Sequence, residues 1–567
     1  MVSSASFDIE TCSKDQLFTG GHEGPFLRLA GVAGDGPVGT TVDMDKLLAF
    51  LERAGEVVGH NIAGYDLLAL AYHHGADWEA LMAKSRDTLL LARLADPPMS
   101  KEHGVSLEKY DLDHIAQSVG EAGKIVGDAG LKSLKKEFGG YDRIPVDDSR
   151  YVAYLKADVE ATRAVAKHYP MTDYGWREHR LASLAGRMTL NGFRVDVPLL
   201  RERIADGQRV KEAALKELNA TYGIPLEGKS PLASNAGKAA LIRALGECGI
   251  PNDPNGVPYH PKTPKSGSIA AGREGMALIK EHYGDLPGIS RLCELVTTVT
   301  TIRTVYQTAA KYLVGDRVHP RVSMRQASGR WSVIDPGLTV YGKHAGRHHE
   351  RDIFIAEPGH VILACDLSQV DMRAIAGHCQ DKAYMALFEP GQDAHQQIAD
   401  ILGISRQDAK ARGHGWNYGL GAKRMIAEGA DPEVVWKFIE GMQSRFPTLM
   451  AWRDDIRDRG GRGELLDNGF GRLMRCDPRA AYTVAPALMG QGGARDIMCE
   501  SLLKLPDWMR PYLRTMVHDE VILSVPENLA DVVGRTVKDA FTWEWRGVPI
   551  LCDLSKPGKS WGDVSAK

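Results

Sequence analysis

Two short segments, far apart in the chain, constrain it most: VILACDLSQVD (Val361 to Asp371) and TMVHDEVIL (Thr515 to Leu523). Each sets an acidic residue at the end of an apolar, strand-forming run. Val361, Ile362 and Leu363 lead to Asp366; Met516 and Val517 precede His518 and Asp519, and Val521, Ile522 and Leu523 follow. The second pattern predicts a hairpin with its carboxylates at the turn. Two carboxylates brought together on a sheet can hold two divalent metals, which activate one oxygen while stabilising another.

At 567 residues the chain has room for about three or four domains. Its 43% hydrophobic and 25% charged residues are those of a soluble globular protein. No apolar stretch approaches the roughly 20 residues of a membrane span, so no membrane partner is expected. MVSSASFDIET lacks the basic start and apolar block of a signal peptide. The eight cysteines are scattered without a CxxC pair or zinc spacing, which points to a reducing cytosol and no structural zinc. A net charge of −3 does not announce a nucleic-acid binder. Locally the balance differs: from Arg317 to Arg351 seven Lys/Arg face two acids. Just upstream of the first acidic strand, that run reads as a track for a phosphate backbone.

In SFDIET, strand alternation puts Asp8 and Glu10 on one face. HNIAGYDLLAL then supplies Asn61 and Asp66, with Leu67, Leu68 and Leu70 as a helical core face. RYVAYLKADVEATRAVAKHY reads as a helix with Tyr154 and Asp158 at i, i+4 on one side. Crowded carboxylates repel one another, and metal binding relieves that repulsion. In order and spacing these residues resemble the DEDD 3′–5′ exonuclease superfamily, in its tyrosine-containing branch. The resemblance implies metal ligation by Asp8, Glu10, Asp66 and Asp158, with Tyr154 orienting the attacking water.

Residues 171 to about 315 carry helical patterning, divided by the polar loop PNDPNGVPYHPKTPKSGS (251–268), a flexible tip or strand-contacting loop. Farther on, Arg406, Lys410, His414 and Tyr418 recur every four residues, one drifting stripe on a helix. Two cations followed by two rings suit a nucleoside triphosphate. Gly413 and Gly415 are costly in a helix, so they signal close approach at that turn or the helix end.

Taken together, nearly the whole chain resembles family A DNA polymerases, the group of bacterial DNA polymerase I and many phage replicases. The resemblance rests on QASGRWSVIDPGL (326–338), DLSQVDMR, the Arg406–Tyr418 stripe, VHDE and the C-terminal GKSWGD, which is similar to the family's final strand and tail. It implies an α/β multidomain fold: an RNase H-like exonuclease domain (1–172), then a right-hand polymerase. The latter divides into a thumb-like helical region (173–315), palm (316–390), fingers (391–475) and second palm segment (476–567). It implies template-directed DNA synthesis with 3′–5′ proofreading, in a phage setting and hence a host cell's cytoplasm. Asp366 and Asp519 would ligate two magnesium ions, or manganese in their place, and Glu520 would support them. Arg406, Lys410 and His395, the last in PGQDAHQQ, would hold the triphosphate, with Lys410 also protonating pyrophosphate. Gln369, His414 and Tyr418 would complete the nucleotide site, and Asp371 would shield the ribose 2′ position. Arg330, Gln491 and His518 would contact primer–template DNA. The implied partners are primer–template DNA and dNTPs, with a helicase or processivity factor left unassigned.

The chain also departs from the family pattern. Leu367 and Asp371 stand where bacterial members read DYSQIE, and the shorter acid is expected to loosen ribonucleotide exclusion. His414 replaces Phe or Tyr, and Ala487 an asparagine. These shifts fit a divergent phage lineage, and no segment matches a separate 5′ nuclease domain. A competing reading from another class is a 3′–5′ exonuclease whose polymerase part serves only as a DNA-binding platform; a non-enzymatic fork scaffold leaves the placed carboxylates unexplained.

Overall fold

The acid-bearing strands settle into two separate sheets. The structure, a computed structural model, describes residues 3–100, 109–123, 130–226, 230–253, 256–263, 267–301, 304–342, 349–417, 419–427 and 429–565. They fall into two compact units, one formed by residues 1–194 with 312–567 and the other by 195–311.

In the first unit, the strand Ser4–Thr11 lies at the centre of a five-stranded sheet. It pairs antiparallel with Leu27–Ala33 and parallel with Glu56–Gly59, the latter followed by Ser85–Asp87. Its Ala5, Phe7 and Ile9 enter an apolar core while Asp8 and Glu10 take the alternate face. The helix Ser149–His168 crosses that sheet with Leu155 and Val159 fully buried. A Cβ on Gly31 would come within 3.0 Å of both, so the close approach uses glycine there.

The second sheet is antiparallel, in the order Leu513–Val517, Glu520–Pro526, His360–Leu367, Cys552–Leu554. The hairpin expected at VHDE is present, turning at His518 and Asp519, with His518 in the left-handed region at φ 59°. The two central strands are buried on both faces, with Ile362, Leu363, Ile522 and Leu523 almost fully enclosed. Behind the sheet runs Ala481–Leu503, a helix apolar on nearly every side and almost wholly buried. A short parallel pairing of Met99–Ser100 with Leu473–Cys476 joins the N-terminal part to the later segments.

A helical region is expected from 173, but the chain divides after residue 194. The helix Asp173–Asn191 buries Leu181, Leu184 and Met188 in the same core as the second sheet, so it belongs to the first unit. The second unit is helical, from Val197–Tyr222 through Asn235–Glu247, Arg273–Tyr283, Ile289–Thr301 and Thr304–Lys311, around Leu218, Leu241, Leu245, Ile279, Leu292 and Val296. Of the polar loop 251–268, the described residues form isolated bridges, Asn252 with Pro258 and Lys262 with Ile269. GKSWGD supplies a bridge from Gly558 to Ile362 and then opens the short helix Trp561–Ser565, rather than adding a strand.

Candidate functional site

Register alone brings the carboxylates of the second sheet together. Asp366 stands directly opposite Glu520 on one side and Asp553 on the other, so all three share a face. The Leu367 N–H donates to the Asp519 carbonyl at 3.0 Å, fixing the turn beside the end of the central strand. Glu520 is buried and committed: Arg351 Nη1 reaches its Oε2 at 3.2 Å and Trp561 Nε1 at 3.4 Å, with the guanidinium stacked 4.0 Å over the Trp561 ring. Asp366 and Asp519 are half-buried. Asp553, which no sequence motif marks, is exposed and accepts from Ser368 Oγ at 3.2 Å.

Arg330 and Asp371, assigned separately to DNA and to the sugar, form a pair, with Nη2 2.7 and 3.0 Å from the two carboxylate oxygens. Arg330 follows Gly329, whose φ of +76° suits glycine and where a Cβ would lie 2.6 Å from Arg472. Arg495 Nε donates to the Gly329 carbonyl at 3.0 Å, and Arg495 Nη2 binds Glu178 at 2.8 Å. Burial alone would raise the Glu178 carboxyl, but Arg495 and Arg472 outweigh it and hold it below its ordinary value. Asp496 beside it accepts from Tyr174 (2.6 Å) and Arg177 (2.9 Å). No local pattern in PALMGQGGARD announces this buried ionic network; Gln491 is half-buried on the same helix.

The helix Arg406–Asn417 runs through Gly413 and Gly415 without ending there. A Cβ on Gly415 would meet Leu420 at 2.8 Å, so close approach explains that glycine. Arg406 and Lys410 are exposed one turn apart. Arg406 Nε donates to Asp393 at 2.8 Å, and Asp393 also accepts from Gln396 N–H at 3.1 Å at the start of the helix carrying buried His395. The side chain of His414, and Tyr418 altogether, lie outside the described residues. Gln369 opens the helix Val370–Cys379 in a left-handed conformation, φ 53°, and His518 is exposed at the hairpin turn.

At the first sheet three of the four expected carboxylates meet. Ligand atoms of Asp8, Glu10 and Asp158 all lie within 4.8 Å of one another, a spacing that suits a divalent cation. Asp66 Oδ1 accepts the Ile9 N–H at 3.2 Å. Burial, and then the charge of Asp8, push the Asp66 carboxyl well above its ordinary value. Tyr154, one helical turn before Asp158, is buried and lines the same cavity of about 790 Å³. His60 also lines it, bridging Thr88 Oγ1 (2.9 Å) and the Tyr110 carbonyl (3.0 Å); Asn61 beside it is held at φ 63°.

Residues 262–563, more than half of the chain, match the model of DNA polymerase family A. The chain belongs to that family. Among its relatives, the DNA polymerase of Mycobacterium phage L5 is 24% identical over 88% of this chain and 83% of its own length. That of Mycobacterium phage D29 is 25% identical over 91% and 85%. The thermostable DNA polymerase I of Thermus thermophilus is 26% identical over 89% of this chain, which spans 58% of that longer protein. The polymerase domain of Pol1 from M. smegmatis, solved with a DNA primer–template and dNTP, shares the family A fold (TM-score 0.72, 18% identity, 99% of this chain and 96% of that one).

Proposed function

We propose that this family A polymerase adds dNTPs to a primer 3′-hydroxyl on a DNA template at the second sheet, and removes 3′-terminal nucleotides at the first. The observation that carries the synthetic reading is the Leu367–Asp519 hydrogen bond, which joins the two acidic motifs at one strand end. Asp366 and Asp519 would hold the divalent cations there; Asp8, Glu10, Asp66 and Asp158 would hold them on the first sheet. Bound at either place, such ions lower the pKa of the attacking oxygen and offset charge on the phosphate and leaving group.

The chain's own groups do the rest. Glu520, held by Arg351, fixes the hairpin against the central strand. Arg406 and Lys410 would face the triphosphate, Arg406 exchanging Asp393 for phosphate oxygens, and Lys410 would hand a proton to the departing pyrophosphate. His395, Gln369, His414 and Tyr418 would line the nucleotide, while Arg330, Gln491 and His518 would follow the primer–template. The Arg330–Asp371 pair would open so that Arg330 reads the minor groove and Asp371 meets the sugar. In the N-terminal cavity Tyr154 would orient water toward the last phosphodiester, with the frayed strand held single. Similarity to two phage polymerases favours phage DNA replication as the setting.

The platform reading needs a polymerase carboxylate to be missing, and both are present. Incubation with primer–template, dNTPs and magnesium separates the two: the wild type is expected to lengthen the primer. Binding without any extension would hand the case to the platform.

A further inference from the structure

Among the described residues, most arginines of the basic stretch from Arg317 to Arg351 are held in ion pairs, while Lys343 and Arg347 lie outside the described residues. Arg317 pairs with Glu357 at 2.7 Å, Arg321 with Asp335, Arg330 with Asp371 at 2.7 Å and Arg351 with Glu520 at 3.2 Å. Arg325 differs. It is exposed, it has no carboxylate partner among the described residues, and it lines the N-terminal cavity that holds Asp8, Glu10, Asp66 and Asp158. Its backbone is anchored to that wall, because Arg93 donates to the Arg325 carbonyl while its guanidinium stacks 4.8 Å over Tyr110.

A cavity with four carboxylates repels an approaching phosphodiester chain, so its wall needs cations placed for phosphate rather than for internal pairs. A guanidinium suits this because its planar fork matches two phosphate oxygens. We propose that Arg325, supplied by the polymerase part of the chain, binds a backbone phosphate of the single DNA strand entering the N-terminal cavity. It is a positioning residue for degradation, and the same segment carries Arg330 toward the synthetic site five residues on. The inference rests on the exonuclease reading above.

The test is steady-state degradation of a 3′-labelled single-stranded oligonucleotide with magnesium by the full chain, its Arg325→Ala and Arg325→Lys variants, and Asp8→Ala as the blank. Matching thermal transitions establish that each variant is folded. Arg325→Ala should raise KM about three- to tenfold with little change in kcat. It should also flatten log KM against log salt by about 0.7, the share of one lost contact to a single strand. Arg325→Lys should recover most of both. Wild-type KM and salt slope in Arg325→Ala, beside an active wild type, overturn this inference alone. A wild type no more active than Asp8→Ala overturns the exonuclease reading, and this inference with it.

Discussion

At the scale of single residues, the proposed synthetic site rests in part on residues that position Arg330. Gly329 is one: its φ of +76° and the Arg472 guanidinium beside it leave no room for a side chain. The peptide it forms is gripped by Arg495, and Arg330 is the next residue. Gly329→Ala should therefore shift Arg330 and lower kcat/KM for primer extension by up to about a hundredfold. Degradation of single strands by the same variant should change little, since Asp8 and Glu10 lie on another sheet and Asp158 on the helix that crosses it. Extension at the wild-type rate would show that the Arg330 loop is not set by this turn. Asp8 and Glu10 were legible in the sequence because strand alternation fixes their face, and Asp366 and Asp519 because each stands at the end of an apolar, strand-forming run. Asp553 and Arg351 were not. Their place beside Asp366 and Glu520 comes from pairing between distant strands, which no local pattern encodes.

At the scale of elements, the helix Val370–Cys379 packs on Ala481–Leu503 through His378. The ring stacks on Trp452 at 5.9 Å and meets Trp545 edge-on at 5.2 Å. A Cβ on Gly493 would lie 2.9 Å from its Nε2, which is sealed from solvent without a partner among the described residues. Burial, and then the charge of Arg546, hold this imidazole down to about 3. The folded protein keeps it neutral while the unfolded chain protonates it near 6.5. Its contribution to stability is therefore complete above about pH 6.5 and is lost as the pH falls from there toward about 3. Between pH 7 and pH 5 the wild type should lose about 2 kcal/mol more unfolding free energy than His378→Phe, measured by urea denaturation at each pH. Equal losses would mean that His378 is protonated in the folded state. The tryptophan cage around His378 was not legible in the sequence, since Trp452 and Trp545 come from remote segments.

At the scale of the molecule, both carboxylate clusters belong to one compact unit, while 195–311 forms another. Strand pairing between Met99–Ser100 and Leu473–Cys476, and the Arg475–Asp96 ion pair at 2.8 Å, tie the two halves of the first unit together. The boundary expected at 173 missed this because the pattern of Asp173–Asn191 reports a helix with apolar faces, not which core those faces enter. Charge counts likewise omit the acids that the fold brings to Arg317, Arg321, Arg330 and Arg351. The central claim is that one chain carries two separable chemistries, and a 5′-labelled primer on a longer template, with dNTPs and magnesium, tests it most directly. Asp519→Ala should abolish extension and still shorten the primer, whereas Asp8→Ala should extend it and leave single-stranded ends intact. Extension by Asp519→Ala at the wild-type rate would contradict the account.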